Sequence, residues 1–120
     1  MMRKLTVLFY LIFLFPNIVT ANLVEIYSLD QMDDQRGFCI DIRGHKSKAK
    51  INSRLQAHTC YSYQGSIAVD QGFDFLSLVK GQFRLPAFDV CMQAVSNTAS
   101  ASLRLSKCQA KELQKFEWDN

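Results

Sequence analysis

The chain has 120 residues with 14 basic and 11 acidic side chains, which gives a formal charge of +3. This length suits one domain. The small charge argues against the strongly basic surface that is typical of proteins that bind nucleic acid or anionic membranes, so neither is expected as a partner.

The first element is an apolar segment at the N-terminus. Arg3 and Lys4 precede an apolar run over 5–15, and positions 19–21 hold the small or short residues that a signal peptidase reads. This is the layout of a secretory signal, and the run is short for a membrane span. Residues 1–21 are therefore predicted to be a cleaved signal peptide, the alternative being an uncleaved membrane anchor. Cleavage would leave 99 residues with 12 basic and 11 acidic side chains, in an extracellular or periplasmic location and without a membrane span.

All four cysteines lie after the predicted signal. They are Cys39, Cys60, Cys91 and Cys108. An even number in a small exported chain predicts two disulfides, and four cysteines allow three pairings. Pairing of sequence neighbours would close loops of 20 and 16 residues, each worth about 3 kcal/mol in the chain-entropy model. The cysteines and the two histidines lack the close spacing of a zinc site, so neither a metal nor a cofactor is expected.

The rest of the chain alternates short strand-like stretches with polar turns. The stretches are rich in β-branched and aromatic residues and lie at 23–29, 38–42, 54–61, 73–79, 88–95 and 103–108. In the second stretch, Ile40 and Ile42 share one face, and Cys39 and Asp41 share the other. Such strands predict an all-β sandwich or barrel. Residues 106–116 stand apart, because their composition favours a helix.

The chain runs twice through one motif. The first copy reads FCIDI, RLQAHTC and DQGF, and the second reads DVCMQAV, LRLSKC and LQKF. Each copy has a cysteine in a strand, a second strand that ends in cysteine, and a closing Gln-x-Phe. The equivalent positions are 52, 48 and 43 residues apart. This repetition overrides the helix propensity of 106–116, so no α-helix is predicted there.

The duplicated motif resembles the ricin B-type lectin repeat, whose fold is a β-trefoil. The similarity spans about residues 23–118. It implies an incomplete, β-trefoil-like, all-β domain over 22–120, with repeat one at about 22–77 and repeat two at about 78–120. A β-trefoil has three repeats and only two are found here. The chain is therefore expected to be a fragment of a longer protein, the alternative being that homo-oligomerisation completes the barrel.

The resemblance also assigns structural roles. Each local cysteine pair is expected to join the second and third strands of one repeat. Phe73 and Phe116, the aromatic residues of the two Gln-x-Phe closes, are expected in the core. Trp118 is expected to share the strand face of Phe116 or to cap the barrel end.

The resemblance places a neutral-sugar site in repeat one. Asp41 matches the acid that bridges sugar hydroxyls, Gln56 matches a pocket-side amide, and His58 stands where an aromatic ring stacks on the sugar. Asp70 stands where an Asn often contacts a hydroxyl, and Gln71 is the glutamine of the close. Glycans, galactose-like or other neutral sugars, are the implied partners.

Repeat two keeps the scaffold positions but loses these polar groups. Gln93 replaces the acid, and Arg104 and Ser106 replace the amide and the ring. Repeat two is therefore expected to be purely structural, which leaves one site per chain.

The loops around the predicted site add two alternatives. Tyr61 or Tyr63, which follow Cys60, is the alternative source of a stacking ring. A run of cations over 43–54 is expected to be a solvated loop, the alternative being attraction of acidic glycans or phosphate. The run lacks the interleaved aromatics of a nucleic-acid site.

The predicted function is a secreted carbohydrate-binding module. One alternative is the N-terminal, glycan-targeting part of a larger secreted hydrolase or toxin, and another is a non-binding structural or interaction domain. The segment itself is not expected to be an enzyme. Nothing fixes two of the acids Asp41, Asp70 and Asp74 at the separation used by glycosidases, and an oxidised cysteine supplies no thiolate.

Overall fold

The computed structural model describes residues 22–117, so the predicted signal peptide and Trp118 lie outside the described residues. Within this range the chain forms seven short strands, one four-residue α-helix and three short 3₁₀ segments. The strands are β1 (Leu23–Val24), β2 (Phe38–Ile42), β3 (Leu55–Thr59), β4 (Phe73–Asp74), β5 (Arg84–Leu85), β6 (Val90–Ala94) and β7 (Leu103–Ser106). The helix α1 spans Phe75–Leu78, and the 3₁₀ segments span Lys46–Lys48, Tyr61–Gln64 and Glu112–Gln114.

The strands pair into three small antiparallel sheets, ordered β1–β4, β2–β3 and β5–β6–β7. In the β2–β3 hairpin, Cys39 lies opposite His58 and Asp41 lies opposite Gln56. The expectation of an all-β domain made of short strands is confirmed. The three sheets do not close into a barrel within residues 22–117.

Two disulfides cross-link the two hairpins. Cys39 bonds Cys60 with a Cα–Cα distance of 5.1 Å, and Cys91 bonds Cys108 with a distance of 4.9 Å. Both local pairings are thereby confirmed, and the two crossed pairings are excluded. Each bond ties the start of one hairpin strand to the residues just after its partner strand, so it fixes the register on which the hairpin's polar face depends.

The prediction of a strand over 73–79 is wrong beyond Asp74. The Asp74 carboxylate accepts hydrogen bonds from the Ser77 backbone N–H at 3.0 Å and from its hydroxyl at 2.6 Å. These bonds cap the first turn of α1 and favour it over extension of the strand. The short strand β5 was not predicted, because it has two residues and lies between the turn residues Gly81 and Pro86.

The segment 106–116 forms no α-helix, as the repeat predicts. β7 ends at Ser106, and between residues 107 and 117 the only helical turn is the 3₁₀ segment Glu112–Gln114. Two tertiary restraints override the local helix propensity: the disulfide at Cys108 and the burial of Gln114, which is 1% exposed.

The apolar core lies between the two halves of the chain. Its buried members are Ile42, Phe73, Leu78, Phe83, Leu85 and Met92. The Phe83 ring contacts both closing aromatics, with centroids 6.2 Å from Phe73 and 5.0 Å from Phe116. The prediction that these two residues pack in the core is confirmed.

Candidate ligand-binding site

The candidate site lies on the polar face of the β2–β3 hairpin. Alternate side chains of a strand point to opposite faces, so Cys39 and Asp41 share a face with His58 and Gln56, which lie opposite them. The other face carries Ile42, which is fully buried in the core. The apolar residues of FCIDI therefore orient the hairpin and leave its acid and amide on the side away from the core.

Asp41 is the central group of this face. It is 2% exposed. Its Oδ1 accepts a hydrogen bond from Gln56 Nε2 at 3.1 Å, and its Oδ2 accepts one from Gln71 Nε2 at 2.8 Å. Burial raises the pKa of the Asp41 carboxyl, against the hydrogen bonds from Gln71 and Gln56. The ion pairs among residues 22–117 do not include Asp41, so two neutral amides hold a buried carboxylate without a cation.

Gln71 anchors the end of the hairpin. Its side chain is fully buried. Besides Asp41, its Nε2 donates to the Thr59 carbonyl oxygen at 3.0 Å, and its Oε1 accepts from the Tyr61 backbone N–H at 2.9 Å. One amide therefore joins β2 to the residues on both sides of Cys60. These bonds give Gln71 a structural role in the hairpin.

Repeat two contains the same network. Gln114 Nε2 donates to Gln93 Oε1 at 3.0 Å and to the Lys107 carbonyl oxygen at 2.9 Å. Gln114 Oε1 accepts from the Gln109 backbone N–H at 2.9 Å. The partners again lie on both sides of the second cysteine of the repeat. The amide oxygen of Gln93 thus accepts the hydrogen bond from the closing glutamine that the Asp41 carboxylate accepts in repeat one.

An aromatic wall stands beside the hairpin. The Tyr61 ring stacks on His58 with centroids 5.6 Å apart and planes at 28°, and it meets His45 edge-on at 6.0 Å. The Tyr61 hydroxyl lies 3.4 Å from His45 Nδ1. Tyr61 is therefore the ring placed at the site, whereas Tyr63 is 66% exposed. The position of Tyr61, directly after the second cysteine, was the sequence signal for it.

Asp70 forms the far end of the site. It is fully buried, its Oδ2 accepts from the Lys46 backbone N–H at 2.7 Å, and its Oδ1 has no hydrogen-bond partner. Burial first, and then the negative charges of Asp70 and Asp41, raise the pKa of the Tyr61 hydroxyl. A buried carboxylate oxygen without a partner is rare in folded proteins, so the Oδ1 of Asp70 is an unsatisfied acceptor at this end of the site.

The predicted site residues differ in access. Asp41, Asp70 and Gln71 are buried, Gln56 is half-buried and His58 is exposed. The structure links three of them, Asp41, Gln56 and Gln71, in one hydrogen-bonded chain. A ligand that reaches Asp41 must therefore displace the Gln56 amide.

An open cavity of about 420 Å³ adjoins this site, and its lining includes Lys46 and Tyr61. The cation run that contains Lys46 forms an exposed loop with one 3₁₀ turn, Lys46–Lys48. The His45 ring and the Lys46 backbone N–H bond residues of the site. The lysine and arginine side chains of the run make no hydrogen bond to it in the described part of the chain.

Metal ligation has little support in residues 22–117. The single group of three close potential ligands there comprises Glu25, Cys39 and Cys60. Both sulfurs belong to a disulfide, so only one carboxylate could bind a cation.

Comparisons with known protein families, with characterised proteins and with solved structures found no match to this chain. In the described part of the chain, no helix has the length and apolar character needed to cross a membrane. The function must therefore be argued from the geometry of the site.

Proposed function

We propose that this chain is a secreted carbohydrate-binding module with one glycan site, in repeat one. The site residues are Asp41, Gln56, His58, Asp70 and Gln71, with Tyr61 as the principal ring. The observation that carries the proposal is the buried carboxylate of Asp41, which occupies a position where the amide of Gln93 suffices in repeat two. Two disulfides in a small domain are compatible with an extracellular location.

A buried charge without a counter-ion is expensive in free energy. The scaffold requires only one acceptor for the closing glutamine, and repeat two supplies it with a neutral amide. The charge at Asp41 therefore serves something other than the scaffold. A carboxylate accepts hydrogen bonds from two adjacent hydroxyls, each worth about 1.5–3 kcal/mol because the acceptor is charged. Vicinal hydroxyls of a sugar are the neutral ligand that best fits this group.

Binding would exchange one internal hydrogen bond for ligand contacts. Gln56 is the half-buried partner of Asp41, so its amide can leave Oδ1 and make room for a sugar hydroxyl. The unpartnered Oδ1 of Asp70 would accept a further hydroxyl. The Tyr61 ring would cover the apolar face of the sugar. Two or three such contacts, less the entropy of association, leave about 4 kcal/mol, which corresponds to millimolar affinity and is raised by multivalent display.

The finer fold proposed with this function is an incomplete β-trefoil of two repeats. The matched glutamine networks support it, and so does the closing strand of each half. Phe73 of β4 lies opposite Val24 of β1. In repeat two, the Phe116 N–H donates to the Gly81 carbonyl oxygen just before β5 at 2.9 Å. We propose no catalytic step, since Asp41 and Asp70 are engaged in holding loops and hairpin together.

The experiment is glycan-array retention of the wild-type chain and two variants. Asp41→Asn removes the charge at nearly constant volume and should lower retention at least tenfold. Gln93→Glu is the matched control, because it exchanges an amide for a carboxylate at the equivalent position of repeat two. It should change retention less than twofold. Thermal melting of each variant monitors the fold. Retention of Asp41→Asn at the wild-type level would refute the proposal.

A further inference from the structure

The open cavity of about 420 Å³ beside the candidate site has a mixed lining. Its apolar side chains come from residues 67–69, just before Asp70. Its polar side chains are those of Lys46, Ser47, Tyr61, Gln64 and Ser66. The volume lies in the range of small-molecule pockets, roughly 300–1,000 Å³. The cavity therefore has room for a small ligand, such as a second sugar unit.

Most of these polar side chains are hydrogen-bond donors without an acceptor. Within residues 22–117, the Lys46 ammonium forms no ion pair and no hydrogen bond. The side chains of Ser47, Gln64 and Ser66 are exposed, and they too form no hydrogen bond in that range. No carboxylate of the described residues lines the cavity. One positive charge beside unpaired donors is complementary to an anionic oxygen group.

The counterpart of this cavity in repeat two is electrically balanced. A cavity of about 430 Å³ lies between the β6–β7 loop and the closing segment, and Glu112 and Lys115 both line it. Glu112 stands 43 residues after Val69, which is the separation of the two Gln-x-Phe closes. A carboxylate thus replaces an apolar side chain of the first cavity. The unbalanced positive charge belongs to repeat one alone, the repeat that contains Asp41.

The loop that carries Lys46 is anchored on residues of the candidate site. Lys46 has a φ of 49°, in the left-handed region that residues with a side chain rarely adopt. Its backbone N–H donates to the buried Oδ2 of Asp70 at 2.7 Å, which holds this conformation. The Tyr61 hydroxyl lies 3.4 Å from Nδ1 of the preceding residue, His45. The backbone is therefore fixed on the site, and the Lys46 side chain is left exposed at the cavity.

We propose that this cavity is a second subsite of the glycan site and that it binds an anionic substituent, a sulfate ester or a carboxylate, so that the ligand is an acidic oligosaccharide. The inference rests on the proposed function. Asp41 would bind hydroxyls of one sugar unit, and Lys46 would bind the charged group of the next. Tyr61 lines the cavity and also stacks on His58, so its ring connects the two subsites.

The buried acids of the site oppose such a ligand, and Lys46 offsets them. Burial first, and then the negative charges of Asp70 and Asp41, raise the pKa of the Tyr61 hydroxyl, so their field reaches that ring. Neither acid lines the cavity, whereas Lys46 does. An anion there therefore meets the ammonium first. An exposed ion pair changes affinity by about fivefold at most, so a modest preference for acidic ligands is expected.

The test measures retention on an array of matched neutral, sulfated and uronate-containing oligosaccharides. At low ionic strength the wild-type chain should prefer acidic members by about three- to fivefold, and the preference should vanish in about 1 M sodium chloride. The sulfated and uronate sets are scored separately, which distinguishes the two sources of charge. Lys46→Gln removes the ammonium, keeps the backbone N–H that bonds Asp70, and should abolish the preference. Lys115→Gln, in the counterpart cavity, is the matched control and should leave it unchanged.

The outcomes separate this inference from the proposed function. Equal retention of neutral and acidic members, with neutral retention still lost in Asp41→Asn, would overturn the subsite and leave the glycan site standing. Absence of retention on every member of the array would overturn both. A preference that survives Lys46→Gln, or that falls equally in Lys115→Gln, would mean that the anion binds elsewhere and would also overturn the subsite.

Discussion

Replacing Gln71 with alanine should destabilise the fold more than the same change at Gln114. Each glutamine is buried and makes three hydrogen bonds, two of them to backbone groups beside a disulfide. The third bond differs between the repeats. Gln71 donates to the carboxylate of Asp41, whereas Gln114 donates to the neutral amide of Gln93. The two variants are therefore matched except for the charge of one acceptor.

The magnitude follows from these bonds. A neutral hydrogen bond contributes about 1 kcal/mol net, and one to a charged group contributes about 1.5–3 kcal/mol. Gln114→Ala should then lower the free energy of unfolding by about 3 kcal/mol, and Gln71→Ala by about 4 kcal/mol. The difference should shrink in acid, because protonation of Asp41 turns its bond with Gln71 into a neutral one.

Urea denaturation of both variants under non-reducing conditions measures these values, provided that the denaturant slopes match that of the wild type. A loss below about 1 kcal/mol for either variant would mean that its glutamine does not hold the hairpin. A larger loss for Gln114→Ala than for Gln71→Ala would contradict the role assigned to the Asp41 charge.

Three further outcomes are expected. Serine at Cys39 or at Cys91 should each cost about 3 kcal/mol of unfolding free energy in denaturation with urea; near-equal stability to wild type would rule out that contribution. Gly81→Ala should destabilise more than Gly65→Ala on thermal melting, since both have positive φ but only the first added Cβ meets a backbone oxygen, at 2.5 Å; equal losses would contradict this packing. Burial raises the pKa of Asp41 above 3.8 in the folded chain, so the contribution of this carboxyl to the free energy of unfolding falls as pH rises from 3.8 towards the folded-state pKa. Asp41→Asn should flatten the dependence of the free energy of unfolding on pH over this range, and an unchanged slope would refute the assignment.

Local patterns allowed much of the fold to be predicted. The alternation in FCIDI gives the bounds of β2 and the two faces of its hairpin. The repeated order of cysteines, together with the family resemblance that it carries, gives both disulfides. These features succeed because each is set by neighbours in the same hairpin or repeat.

Two kinds of feature were missed, a local side-chain cap and burial by tertiary contacts. The helix α1 depends on a cap made by the side chain of Asp74, which competes with the strand propensity of the residues around it. The access of the site was not predictable either. The pattern gives the residue types at Asp41 and Asp70 but not their burial, which depends on the approach of the Lys46 loop and of Gln56.

The most direct measurement of the central claim is the response of two side-chain amides to sugar. In the ¹⁵N-labelled chain, titrated with the monosaccharide best retained on the array, the Nε2 amide resonances of Gln56 should shift and saturate as a hydroxyl takes its place on Asp41. The Nε2 resonances of Gln114, in the matched network of repeat two, should not move. Unchanged Gln56 resonances, or equal shifts at both glutamines, would contradict a carbohydrate site at Asp41.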